Sequence, residues 1–384
     1  MRHDFDEIIE RRGTRSEKWD TYPADVLPMW VADSDFKSPE PVAQAIIETA
    51  RRGLFGYTVS DGAFERAYAH WAASRYGWEA DPDWVLWAPS LGASLAICIR
   101  AFSKPGGRVA MLSPIYPPFI NLCYLNGRLP EQSVLRDRGN GYSIDFADLE
   151  ARLAHPDTKL LLLCNPHNPT GRVFSRRELE RIGELCLSYN VIIFSDEIHA
   201  DIVFKGKHVC FPTLSPELAS ITMVGMNASK TFNLADLRSA AIIASNPRLR
   251  QSFASEIARC NVGRCSLGIA GVIAAYTHCA DYADQLVPYL EANMRLAVDS
   301  ISSATEQLSA RMPEGTFLLW IDCKKMKLTQ PDLIRFFLEK AHVALNSGSS
   351  FGKGGESFMR LNVACPRATL QDGLRRIAKA LAER

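Results

Sequence analysis

The chain has 384 residues, long for one ordinary core, and length alone suggests two domains. Hydrophobic residues at 47% and charged residues at 23% are the composition of a folded globular protein and exclude disorder. Forty-four Lys and Arg against 43 Asp and Glu leave a net charge of +1, which argues against a nucleic-acid partner, because phosphate backbones call for a basic excess. The ten cysteines contain no Cys-x-x-Cys pair and no zinc-finger spacing, so the expectation is no metal, no disulfide framework and a reducing, cytoplasmic setting. The charged start of the chain has no apolar signal core, and no run approaches ~18 apolar residues, so no membrane partner is expected.

Along the chain, Ser38-Pro39 opens a helix that runs to about Arg52 and is closed by Gly53. Strand-like apolar runs follow at 84–87, 108–112, 159–164, 191–194, 221–224 and 240–243. They are continuous rather than alternating, as in strands buried on both faces. Helical periodicity separates them, most plainly over 175–190, where Leu179, Ile182, Leu185 and Cys186 recur and Ser175 with Glu178 makes a capping-box pattern. Alternating strands and helices predict an α/β fold, a mainly parallel sheet covered by helices on both faces. Beyond about residue 281 come a long helix, a strand at 317–321, a helix from about Asp332, a strand at 358–363 and a final helix. That pattern predicts a smaller α+β domain over 281–384. A large domain spans 50–280, and the segment 1–49 is expected to pack with the small one.

Ligands of open α/β sheets bind beyond the carboxyl ends of the strands, so the residues just after each apolar run carry the chemistry. These are Ser90-Leu91-Gly92 at a helix start, Tyr116, Asn165 to Gly171, Asp196 to His199, and Asn227 to Thr231 with Lys230. No Gly-x-Gly-x-x-Gly or Gly-Lys-Ser/Thr loop is present. An anion-ready helix start, an aromatic ring, an amide, a carboxylate and a lysine fit a flat phosphorylated aldehyde, pyridoxal 5'-phosphate. Each residue alone has an ordinary reading: Lys230 as a surface lysine, Asp196 as a turn residue, Tyr116 and His199 as core residues, Arg360 as a strand flank.

Together, Ser195-Asp196-Glu197-Ile198-His199-Ala200-Asp201, Asn165 to Gly171 and Ser229 to Arg238 resemble fold-type I pyridoxal-phosphate enzymes of the class I/II aminotransferase family. The resemblance is narrower to the MalY/PatB-type cystathionine β-lyases, or cysteine-S-conjugate β-lyases. Supporting strings are Met29 to Phe36, Phe55-Gly56-Tyr57-Thr58, Pro313 to Phe317 and Arg360 to Arg367, so it covers nearly the whole chain. It implies Lys230 as the amine that condenses with the cofactor aldehyde and moves the Cα proton. Asp196 would face the pyridine nitrogen, Asn168 the phenolic oxygen, and Tyr116 the ring face. Leu91, Gly92 and Arg238 would hold the phosphate, with Tyr57 reaching the phosphate of a neighbouring subunit in a homodimer. Arg360, helped by the Ala32 N–H, would clamp the substrate carboxylate.

Two positions depart from the family pattern. His199 stands where the aspartate-aminotransferase type has a tyrosine, in keeping with the lyase branch. Asp236 stands where a small residue is expected and is placed to pair with Arg238. The implied activity is β-elimination from L-cystathionine or a related cysteine S-conjugate, giving a thiol, pyruvate and ammonia. Transamination of a neutral or aromatic amino acid is the alternative with the same residues, and a partner-binding regulatory protein with secondary lyase activity is the alternative of another class.

Overall fold

The computed structural model describes residues 2–384. Seven strands make the main sheet: β1 (Val85–Ala88), β2 (Arg108–Ser113), β3 (Leu129–Val134), β4 (Thr158–Cys164), β5 (Ile192–Asp196), β6 (Thr222–Met226) and β7 (Ala240–Ile243). Their order is β1-β7-β6-β5-β4-β2-β3. All neighbours run parallel except β7, which is antiparallel to both β1 and β6. The apolar runs become these strands because no backbone group of a central strand meets water, and β4 to β7 are buried almost throughout. The strand β3 was not expected: its sequence, Leu-Pro-Glu-Gln-Ser-Val, is polar and carries Pro130, which an edge strand tolerates.

Helices cover both faces, including α1 (Ala63–Tyr76), α2 (Leu91–Phe102), α3 (Pro117–Leu125) and α4 (Arg176–Ser188). The α4 start is the expected capping box, with Ser175 and Glu178 closing on each other's backbone N–H. A short turn, α5 (Ser229–Phe232), follows β6 and carries Lys230. The second sheet is β8 (Ser309–Ala310), β9 (Leu318–Asp322), β10 (Asn346–Ser347) and β11 (Phe358–Asn362), antiparallel in the order β8-β9-β11-β10. No helix among the described residues is long and apolar enough to cross a membrane.

Within residues 2–49, two parts make different contacts. Leu27–Pro28 pairs with Val343–Ala344, and Asn362 Nδ2 donates to the carbonyls of Val31 and Asp33 at 2.8 and 2.7 Å, so this part rides on the second sheet. The helix Glu40–Arg51 instead packs its apolar face on the helix Ser266–His278, where Ile46 sits against Gly271.

Candidate active site

The parallel register brings three loops to one level. Cys164, Asp196 and Gly225 lie side by side on β4, β5 and β6, at the spacing of adjacent strands. Beyond them, the Asn165 N–H donates to the Asp196 carbonyl at 3.0 Å, and the Glu197 N–H to the Gly225 carbonyl at 3.0 Å. Asn168, Asp196 and Lys230 therefore leave the sheet at the same edge. Leu91, the first residue of α2, packs on Gly225, so the start of that helix stands beside the same edge. Ser90 Oγ caps the Ala93 N–H, which leaves the Leu91 and Gly92 N–H groups without an acceptor inside the helix.

The second sheet and the amino-terminal segment close the other side. Arg360 on β11 is 1% exposed, donates to Asn168 Oδ1 and the Trp30 carbonyl at 2.9 Å each, and lies 5.0 Å from the Phe351 ring centre. Among the described residues its buried Nε has no partner and no carboxylate pairs with it. Burial lowers the guanidinium to about 10. Lys230 Nζ donates to the Ala32 carbonyl at 2.6 Å. The carbonyl of Ala32 thus stands at the Lys230 amine. Gly171 holds the Asn168 loop against the second sheet's approach: its carbonyl accepts from Glu314 and Gly315 at 3.0 Å each, its φ is +68°, and a Cβ would lie 2.3 Å from Pro313 Cβ.

Burial sets the charges. It lowers the Lys230 ammonium to about 8, helped by the positive charge of Arg360 and opposed by Asp33 and Asp196. It raises the Asp196 carboxyl to about 7, against the Ile198 N–H that bonds its Oδ1 at 3.1 Å and against Lys230. It holds His199 far below its ordinary value, with Lys230 and Arg360 pushing the same way, so the imidazole stays neutral. The buried Nδ1 of His199 has no partner, and its ring stands edge-on to Phe317. Burial also raises the Tyr116 hydroxyl, which lies within the fields of Arg360 and Asp196.

A testable consequence concerns stability. Between pH 3.8 and about 7 the folded protein without cofactor keeps a proton on Asp196 that the unfolded chain releases. The folded state then binds more protons, so this group's contribution is present at low pH and is lost as pH rises toward 7. Chemical denaturation of cofactor-free wild type and Asp196→Asn at pH 4.5 and 7 should show wild type losing stability relative to the variant; a constant difference would contradict the assignment.

These groups fit pyridoxal phosphate. Asp196 is a buried carboxylate facing no protein cation in direct contact, suited to a protonated ring nitrogen; Asn168 keeps its amide N–H groups free; Lys230 is a buried amine. Arg238, exposed and with a left-handed φ of 48°, makes no ion pair among the described residues. Asp236 is exposed and makes no ion pair with Arg238 among the described residues, so the expected pairing is absent. Tyr57 is fully exposed on an irregular segment and touches nothing of this chain's site.

Residues 24–377 match the class I and II aminotransferases. The chain belongs to that family. Cystathionine beta-lyase PatB of Bacillus subtilis (strain 168) is 39% identical over 98% of this chain and 99% of that one. Protein MalY of Escherichia coli (strain K12) is 31% identical over 98% of each. Among solved structures, cystalysin from Treponema denticola, which contains a pyridoxal 5'-phosphate cofactor, superimposes with a TM-score of 0.96 at 30% identity over 100% of both chains. The fold is therefore that of the fold-type I members of this family.

Sequence reasoning gave no role to Trp30, whose carbonyl accepts from Arg360, to Asp33, whose charge favours the Lys230 ammonium, or to Asn362, which holds the Val31 and Asp33 carbonyls. Trp30 and Asp33 act here through a backbone carbonyl or at a distance, which side-chain identity does not announce. Asn362 sits two residues after Arg360, and the only sequence sign was a polar residue inside an apolar strand.

Proposed function

We propose that the protein is a pyridoxal-phosphate-dependent carbon–sulfur β-lyase that cleaves L-cystathionine or a related cysteine S-conjugate to a thiol, pyruvate and ammonia. The observation that carries this reading is full-length similarity to cystathionine β-lyases combined with an amine, a carboxylate and an amide gathered at one sheet edge and faced by a carboxylate-seeking arginine. Pyridoxal 5'-phosphate is the cofactor, and when bound it supplies the sink for the electron pair left at the substrate Cα.

The chain's own groups do the rest. Arg360 presents its unpartnered Nε to the substrate carboxylate and fixes the Cα–H direction. Asn168, held by Arg360, would donate its side-chain amide to the phenolic oxygen of the bound ring. Asp196 would keep a proton at the ring nitrogen. Lys230, whose amine is already half neutral near pH 8, takes the Cα proton; the Ala32 carbonyl, 2.6 Å away, gives the released amine a fixed station. With Cβ bearing a sulfur leaving group, loss of the thiolate follows.

Incubation of the holoprotein with L-cystathionine and no 2-oxo acid should yield pyruvate and free thiol. Product formed only when a 2-oxo acid is supplied would make it an aminotransferase instead.

A homodimer with shared sites completes the reading. Leu54, Phe55, Tyr57 and Val59 expose apolar surface on one irregular segment, which a second copy would cover while bringing its Tyr57 to the phosphate. Phe55→Asp should turn a dimer into a monomer in light scattering and weaken cofactor binding; an unchanged mass would remove this segment from the interface. The domain division we adopt places the large cofactor-binding unit at 50–280 and the small one at 281–384, each carrying one of the two larger sheets. Eight of the ten cysteines are buried free thiols, which suits the cytoplasm.

A further inference from the structure

Behind the site runs a set of polar groups that the chemistry above leaves unused. The Asp201 carboxylate accepts from Trp71 Nε1 at 3.1 Å, from the Tyr76 hydroxyl, and from Thr231 Oγ1 at 2.6 Å. It makes no ion pair among the described residues. The Tyr76 ring stands edge-on to His208 at 5.3 Å, and His208 Nε2 meets Glu197 Oε2 at 2.7 Å. Glu197 Oε1 in turn accepts from Ser195 Oγ and the Phe211 N–H.

The two ends of this set reach the neighbours of the two reacting groups. Glu197 follows Asp196 in the chain, and Thr231 follows Lys230. The turn α5 has only four residues, too few to hold its own geometry in isolation. Its orientation therefore depends on what grips it from outside. Phe232 packs edge-on to Trp71 at 5.7 Å, and Trp71 stacks on Tyr276 at 4.7 Å, so one side is held by apolar contact. Thr231, 2% exposed, supplies a directional contact to Asp201 through its hydroxyl, beside the Ser38 hydroxyl that donates to the Phe232 carbonyl at 2.8 Å. An apolar contact fixes distance but allows rotation, whereas a hydrogen bond to a carboxylate fixes direction.

We propose that Asp201 is a positioning residue for Lys230: by accepting the Thr231 hydroxyl it sets the rotation of the turn that carries the amine, and by accepting Trp71 and Tyr76 it ties that turn to helix α1. This rests on Lys230 being the reacting amine. The group acts through Thr231 and touches neither cofactor nor substrate.

The test uses Thr231→Val, which removes the hydroxyl at nearly constant volume, Thr231→Ser, which keeps it, and Asp201→Asn as an independent second variant. In the holoprotein acting on L-cystathionine, Thr231→Val should lower kcat about 10- to 100-fold with KM changed less than about twofold, while Thr231→Ser stays within about threefold of wild type. Asp201→Asn should show the same split with a smaller loss. In the cofactor-free protein, amide exchange over residues 228–234 should quicken in Thr231→Val and Asp201→Asn and stay as wild type in Thr231→Ser, with 63–76 unchanged in all three. Wild-type kcat and exchange in Thr231→Val, or a Thr231→Ser as impaired as Thr231→Val, would overturn the proposal. Lys230→Ala separates the two ideas: if it retains turnover the reading of the site fails, and if it is inactive while Thr231→Val and Asp201→Asn behave as wild type, only the role of Asp201 fails.

Discussion

Lys230→Ala should lose turnover on L-cystathionine by about 10⁴-fold or more, and should release its cofactor on dialysis. The amine is the one group placed both to bind the aldehyde carbon covalently and to carry the Cα proton. Burial lowers it to about 8, so a large share is neutral and basic near physiological pH, where an exposed lysine would be almost wholly protonated. In the variant the Ala32 carbonyl loses its donor at 2.6 Å, a small local loss that leaves the large sheet intact. Folding should therefore survive, and circular dichroism should match wild type. Turnover within tenfold of wild type would refute the proton transfer assigned to this residue.

The second large effect is at Arg360. Arg360→Met should lower kcat/KM about 10²- to 10³-fold, the scale of losing a buried charge-assisted pair to the substrate carboxylate. The same change should leave the thermal midpoint of the cofactor-free protein nearly unchanged. The reason lies in the site as it stands: Arg360 is desolvated, carries an unpartnered Nε and meets only neutral acceptors, so its burial is a cost to the folded chain that a substrate carboxylate offsets. Methionine keeps the packing against Phe351 and removes that cost. Asn168 Oδ1 and the Trp30 carbonyl lose their donors, which works the other way. Arg360→Lys should recover little activity, because a point charge cannot reproduce the planar fork. A variant with full kcat/KM, or one that loses activity only because it unfolds, would remove Arg360 from substrate binding.

Much of this arrangement was written in local patterns. The central strands β4, β5 and β7 could be read to within two residues because burial on both faces leaves an uninterrupted apolar run. The helix start at Ser175 was marked by its capping-box pattern. The reversed direction of β7 was not marked: its side chains serve either direction equally, and only its hydrogen-bond partners on β1 and β6 decide. β3 hid behind the polarity of an edge. In the site, Asn168, Asp196 and Lys230 could be singled out because each lies at, or within four residues of, the carboxyl end of a strand. The parts that escaped notice, the Trp30 and Ala32 carbonyls and the Asp201–Thr231 contact, are set by backbone groups or by contacts across long separations.

The central claim is that one ring sits between Lys230 and Asp196. Reduction of the holoprotein with borohydride, followed by peptide mapping, tests it most directly. The account predicts a single pyridoxyl group on the peptide containing Lys230 in wild type and none in Lys230→Ala. A label on another lysine, or wild type that takes up no label at all, would contradict it.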